Sequence, residues 1–190
     1  MKTGLFFGSF NPIHTGHLVI ANYMAGFTGL KEVWLVVSPH NPLKKRSNLA
    51  NMYDRLEMAR LATENSEQLK VSDIEFGLPQ PSYTIDTLTY LRERYPGKDF
   101  VLIMGADNMA SFKKWKNYEL LLRDYQIFVY PRPGADLSVW KGHPSVTITD
   151  TPQMDISSTF IRNAIKEGRN VQFFVPDSVL DFIDGKQMYR

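Results

Sequence analysis

Short apolar runs alternate along the chain with segments whose apolar positions recur at helical spacing. Leu5–Phe7 predicts a short strand that runs into Gly8-Ser9-Phe10-Asn11-Pro12. A helix from about Thr15 to Ala25 follows, with Leu18, Ala21 and Met24 on its buried side. Val33–Val37 is a continuous apolar run rich in Val, which suits a strand covered on both faces. Pro39 to Asn51 is polar and reads as a loop, and Met52 to Glu64 has helical register in Met52, Leu56 and Ala59. Val71–Ile74 predicts a strand and Gly77–Ser82 a loop. Thr84–Tyr95 predicts a helix with the stripe Ile85, Leu88, Leu91 and Tyr95, closed by Pro96-Gly97. Phe100–Met104 predicts another buried strand, Tyr118–Arg123 a helix, and Ile127–Tyr130 and Val146–Ile148 two more strands. Ser158–Glu167 reads as a helix capped by Ser158 and closed by Gly168, and Val179–Ile183 as the apolar face of a last helix.

Strands alternating with helices predict an α/β fold, a Rossmann-like doubly wound parallel sheet with helices on both faces. The 190 residues fit one domain. In such sheets ligands bind beyond the carboxyl ends of the strands, near the point where strand order reverses. Residues that directly follow strands are therefore the first candidates for chemistry.

Composition narrows the chemistry. Lys plus Arg is 22 and Asp plus Glu is 20, a net charge of +2, so a polybasic nucleic-acid binder is not expected. The absence of cysteine removes thiol nucleophiles, disulfides and Cys-based metal sites. The apolar runs fall far short of the ~20 residues of a membrane span, and the N-terminal one is too short for a signal-peptide core. The expectation is a soluble, cytoplasmic protein with no membrane or nucleic-acid partner; a homo-oligomer stays open.

Gly8 to His17 lies at a strand-to-helix junction. Gly8 lets a ligand approach the backbone, and a helix N-terminus offers N–H groups and partial positive charge to phosphate. His14 and His17 are three apart, with Gly16 between them, so on a first helical turn they point to similar sides. Such a pair suits a phosphate chain. A structural or solvated role and a metal site are the other readings, but no Asp or Glu stands nearby to complete a metal site. Gly-x-Gly-x-x-Gly is absent, which argues against a simple dinucleotide-dependent oxidoreductase. Near the other end, Ile156-Ser157-Ser158-Thr159-Phe160-Ile161-Arg162 opens a helix, and the Arg162 guanidinium can fork onto phosphate oxygens. Alone, this is also what an ordinary cap with a surface arginine looks like.

The ten-residue string from Gly8 to His17 resembles the Gly-x-Phe-x-Pro-x-His-x-Gly-His signature of the nucleotidyltransferase superfamily. The second string resembles the Ile-Ser-Ser-Thr-x-Ile-Arg motif of the same superfamily, in the family's order. Ser82-Tyr83-Thr84-Ile85-Asp86-Thr87 and Gly105-Ala106-Asp107 are similar to stretches of bacterial nicotinate mononucleotide adenylyltransferases. The resemblance runs from Gly4 to about Pro176. It implies transfer of the adenylyl group of ATP to nicotinate mononucleotide, with nicotinamide mononucleotide or another small phosphate acceptor as the alternative.

The resemblance also implies roles. Gly8, Ser9, Phe10, His14 and His17 would hold ATP, with the two histidines on the α- and β-phosphates. Gly105 and Asp107 would hold the ATP ribose. Ile156, Ser157, Ser158, Thr159 and Arg162 would hold the departing phosphates. His14, His17 and Arg162 are the expected catalytic residues. Trp115 would stack on the pyridine, the Thr84 N–H would bind its carboxylate, and Lys44 and Arg132 would hold the mononucleotide phosphate. Mg²⁺ would be bound mainly through ATP phosphates, with no protein metal site.

Overall fold

The computed structural model describes residues 1–39 and 49–190. Among the described residues, six strands form one parallel sheet: β1 Lys2–Gly8, β2 Glu32–Val37, β3 Leu69–Ser72, β4 Asp99–Gly105, β5 Gln126–Tyr130 and β6 Val146–Ile148. Seven α-helices among the described residues accompany them: α1 Thr15–Phe27, α2 Met52–Thr63, α3 Thr84–Arg94, α4 Ala106–Ala110, α5 Tyr118–Asp124, α6 Ser158–Lys166 and α7 Asp177–Gly185. The expected α/β class holds.

Strand order is β3-β2-β1-β4-β5-β6. The chain runs outward from β1 to β3, then returns to the other side of β1 with β4. The switch point is therefore the gap between the carboxyl ends of β1 and β4, where Gly8 and Gly105 stand.

Side chains alternate between the two faces, as the pleat requires. Phe6, Val101, Ile103 and Phe128 join the core beneath α1, α2, α6 and α7. Leu5, Leu102, Met104 and Val129 join the core beneath α3 and α5. Close packing between the strands and the first crossover is visible at Gly4, where an added Cβ would lie 2.6 Å from Ile103 Cδ1 and 2.7 Å from Leu30 Cδ1.

Three expectations need correction. The strand expected at Val71–Ile74 begins two residues earlier and ends at Ser72. Leu69 and Val71 pair with Val33 and Leu35, while Ile74 opens a 3-10 turn, Ile74–Gly77. Helix α6 is capped by Ser157, whose hydroxyl accepts from the Phe160 N–H at 3.1 Å. Ser158 cannot cap, because it is already helical and its hydroxyl donates to the Pro12 carbonyl at 2.9 Å. His14 does not lie on the first helical turn with His17, since it is the extended N-cap residue of α1.

Candidate active site

The loop after β1 folds back on the strand that delivers it. Phe10 has a positive φ of 44°, and its ring returns over Gly8, where an added Cβ would meet ring atoms at 2.7 to 3.0 Å. Gly8 is therefore required by packing, in addition to the ligand access expected of it from the sequence. Phe10 is itself buried against Phe6.

Helix α1 starts with an unusual cap. The His17 Nδ1 accepts the backbone N–H of His14 at 3.3 Å, the role a Glu or Gln plays three residues into an ordinary capping box. In a neutral ring this leaves the proton on Nε2, so His17 is a donor at its far end. Its ring meets the Phe10 ring edge-on at 5.1 Å. The His14 ring is 2% exposed and stacks on His17 with centroids 3.6 Å apart. Burial, and secondarily the charge of Arg132, lowers the His14 pKa to about 4. Gly16 makes the stack feasible, since a Cβ there would sit 3.1 Å from His14 Nδ1.

The second expected string docks on this loop. Besides the Ser158 bond to Pro12, Arg162 Nη1 donates to the Asn11 carbonyl at 2.8 Å. Its Nη2 lies 3.4 Å from Thr159 Oγ1. Ile156 faces Gly16. The N-termini of α1 and α6 thus meet beside Gly8, bringing two sets of partly positive N–H groups to one place.

At the end of β4, Gly105 caps the short helix α4 and Asp107 is exposed in its first turn. A Cβ on Gly105 would collide with the Asp107 carboxylate and come within 3.1 Å of the Tyr130 ring. Tyr130, at the end of β5, packs edge-on against Phe6 at 5.8 Å. The Arg132 guanidinium lies 5.3 Å from the Tyr130 ring centre. Arg132 therefore reaches the His14 side of the crevice.

Thr84 and Trp115 form a second group on the opposite face. Thr84 is the first residue of α3, so its N–H is among the four with no intrahelical acceptor. Trp115 packs on Phe112 at 5.4 Å. The adjacent Lys116 joins the two segments: its Nζ pairs with Asp86 at 2.8 Å and lies 4.7 Å from the Tyr83 ring centre. Lys44 lies outside the described residues.

Among the described residues, Ser9 Oγ, His14 Nδ1, Trp115 Nε1 and Arg132 Nε are buried with no hydrogen-bond partner, as is Tyr125 OH. A buried polar group left unpaired costs about 1–3 kcal/mol, so native folds rarely keep one without a use for it. The first four all belong to residues singled out from the sequence. No three His, Asp or Glu side chains converge among the described residues. No helix among them is long and apolar enough to cross a membrane.

Residues not singled out from the sequence also build this site. Asn11 Oδ1 accepts from the Ala50 N–H at 3.1 Å and from the Tyr189 hydroxyl at 2.9 Å. Arg55 and Glu75 are buried close by. Asn11 sits inside the recognised string, so its place was a usable signal. For the other three, nothing in the local pattern marks the role.

The cytidylyltransferase-like family model matches residues 5–164. A Flavobacterium johnsoniae protein named "Probable nicotinate-nucleotide adenylyltransferase" is 52% identical over 192 residues, covering 100% of both chains. A Cytophaga hutchinsonii protein of the same name is 48% identical and covers 100% of this chain and 98% of its own. Among solved structures, Plasmodium falciparum nicotinic acid mononucleotide adenylyltransferase complexed with NaAD superposes with a TM-score of 0.83 at 20% identity. That match covers 99% of this chain and 97% of the other, and supports the fold. The chain belongs to the cytidylyltransferase-like family and, within it, to the nicotinate-nucleotide adenylyltransferases.

Proposed function

We propose that the chain transfers the adenylyl group of ATP to nicotinate mononucleotide, forming nicotinate adenine dinucleotide and pyrophosphate in NAD biosynthesis. The observation that carries this reading is the meeting of the α1 and α6 N-termini, with stacked His14 and His17 and the fork of Arg162, at the switch point of the sheet. It is supported by relatives of that name covering the whole chain.

The acceptor phosphate oxygen attacks the α-phosphorus in line, and the bond from that phosphorus to the bridging oxygen of pyrophosphate breaks. A phosphate monoester has a second pKa of about 6, so at pH 7 it is mostly a dianion and needs no general base. The protein therefore contributes position and charge stabilisation. His17 donates from Nε2 to an α- or β-phosphate oxygen. His14, neutral at pH 7, offers a hydrogen bond rather than a charge. Arg162 keeps N–H groups for the leaving phosphates beyond the one spent on Asn11, and the Ser157, Ser158 and Thr159 backbone extends that cradle. Gly105 and Asp107 receive the ATP ribose, where a carboxylate can accept two O–H bonds. Trp115 stacks on the pyridine, the Thr84 N–H meets its carboxylate, and Arg132 with Lys44 holds the mononucleotide phosphate.

Mg²⁺ belongs to this reading as an ion carried by ATP phosphates and water, supplying charge neutralisation when bound. The donors of the site are N–H groups and cations, which fits a metal carried by the nucleotide. A cytoplasmic location belongs to the same reading. The test is incubation with ATP, Mg²⁺ and, separately, nicotinate mononucleotide, nicotinamide mononucleotide, phosphopantetheine and glycerol phosphate. Pyrophosphate and a dinucleotide from nicotinate mononucleotide support the reading. Failure with both pyridine mononucleotides overturns it, and preference for the nicotinamide form corrects the acceptor.

A further inference from the structure

Two fully buried charged side chains lie outside the site residues above. Arg55, on α2, is 1% exposed, and Glu75, in the turn after β3, is 3% exposed. Among the described residues Arg55 has no carboxylate partner. Backbone carbonyls satisfy it instead: Nη1 donates to Ser9 at 2.6 Å and Ser38 at 2.7 Å, Nη2 to Pro39 at 2.8 Å, and Nε to Ala50 at 3.1 Å. One guanidinium thereby fixes the loop after β1 and the chain on both sides of residues 40–48.

Glu75 is held from the other direction. The Thr87 hydroxyl donates to its Oε1 at 2.9 Å, and the Ser38 and Ser82 hydroxyls lie toward the same carboxyl group and favour its charged form. Burial holds the carboxyl above its usual range, against the three hydroxyls, which favour the charged form. Ser82 and Thr87 bracket Tyr83-Thr84, so the carboxyl lies behind the N-terminus of α3. The Gln80 side chain adds a bond to the Glu75 backbone carbonyl at 3.0 Å.

Ser38 joins the two systems. Its N–H donates to the Gly8 carbonyl at 2.9 Å, its carbonyl accepts from Arg55, and its hydroxyl lies toward the Glu75 carboxyl group. A continuous path of polar contacts therefore runs from Thr87 and Ser82 through Glu75, Ser38 and Arg55 to Gly8 and Ser9. Its ends are the segment assigned to the pyridine carboxylate and the loop assigned to ATP.

We propose that Glu75 is a positioning residue for the acceptor half of the site, and that Ser38 and Arg55 hold that half in fixed relation to the phosphate loop. The inference rests on the adenylyl-transfer reading above. In-line attack needs the two phosphates in one geometry, and a displacement of about 1 Å can cost about 10²-fold in rate. A carboxylate can accept up to four hydrogen bonds, so one buried group that binds Thr87 and faces the Ser38 and Ser82 hydroxyls resists such displacement better than separate surface contacts.

The test compares wild type, Glu75→Ala, Glu75→Gln and Thr87→Val by KM for each substrate, kcat and thermal midpoint. Glu75→Ala is expected to raise the KM for nicotinate mononucleotide roughly 10- to 100-fold while the KM for ATP stays within about twofold. Glu75→Gln keeps an acceptor oxygen and should restore most of the loss. Thr87→Val removes one donor, preserves shape and should move the same KM in the same direction, which covers the case of an unfolded alanine variant. A fall in thermal midpoint with neither KM changed, or equal changes in both, overturns the proposal. An inert wild type overturns the adenylyl-transfer reading and this inference with it; an active wild type with an unmoved acceptor KM overturns the inference alone.

Discussion

The imidazoles of His14 and His17 lie face to face, 3.6 Å between centroids and 28° between planes. Two imidazolium ions could not stack this way without strong repulsion, and the depressed pKa of His14 removes the conflict. The partners also differ in exposure: His14 is buried, while His17 is half-buried. Of the two rings, His17 is thus the one with surface left for the phosphate contact proposed above.

Replacing His17 with Ala should lower kcat by roughly 10²–10³-fold, the usual cost of losing one donor to a transition-state oxyanion. Because His17 Nδ1 also caps α1, the same variant should lose about 0.5–2 kcal/mol of stability. Steady-state kinetics and chemical denaturation on the same preparation separate the two effects. Wild-type turnover in a folded variant would remove His17 from the chemistry.

His14 gives stability a defined pH dependence. Its pKa is depressed from the ordinary 6.5 to about 4 in the folded chain, so above pH 6.5 it is neutral both folded and unfolded. Between those values the unfolded chain takes up a proton that the folded chain refuses. Its contribution should therefore fall by up to about 1.4 kcal/mol per pH unit as pH drops from 6.5 toward 4, and level off below. Urea denaturation across this window, compared with His14→Asn, isolates the effect. Identical slopes would show that His14 titrates normally.

Trp115 should govern acceptor affinity. Truncation to Ala removes the surface assigned to the pyridine but leaves the His14–His17 stack and the α6 cradle untouched. The KM for the mononucleotide should rise much more than that for ATP, by roughly tenfold for a lost stacking contact of about 1–1.5 kcal/mol. Equal changes for both substrates in a kinetic comparison would exclude stacking.

Gly8→Ala tests whether the phosphate loop is built by packing. The new methyl would meet the Phe10 ring at 2.7 to 3.0 Å, and Phe10 is 2% exposed with little room to retreat. The expected cost is about 1–3 kcal/mol of stability. Turnover should fall too, because the loop carries Ser9 and leads to His14. Unchanged denaturation midpoint and kcat would show that Phe10 yields freely.

What the sequence disclosed follows a physical line. Val33–Val37 and Phe100–Met104 were legible because burial on both faces makes a continuous apolar run. The edge strand β3 was misplaced by two residues because it pairs on one side only and Ile74 continues its apolar character into a turn. His14, His17 and Arg162 were legible through the strings that carry them. Arg55 was not, because the partners of its guanidinium are carbonyls, which every residue possesses and no letter records. Glu75 was hidden for a related reason: the groups around its carboxyl, Ser38, Ser82 and Thr87, are ordinary hydroxyls spread over two segments. Asn11 was read as one letter of a motif, whereas its side chain ties the loop to Ala50 and Tyr189.

The loop from Asn11 to Pro12 is closed by partners very far along the chain: Ser158 at a separation of 146 residues, Arg162 at 151 and Tyr189 at 178. Contacts at such separation carry the largest loop-closure entropy, so they are expected to form after the pairing of neighbouring strands. The sheet can then assemble before the nucleotide site exists. Substitutions at these closing contacts should accelerate unfolding and leave the folding rate nearly unchanged, the kinetic mark of interactions absent from the transition state. Competence for chemistry would be the last property the folding chain acquires and the first it loses.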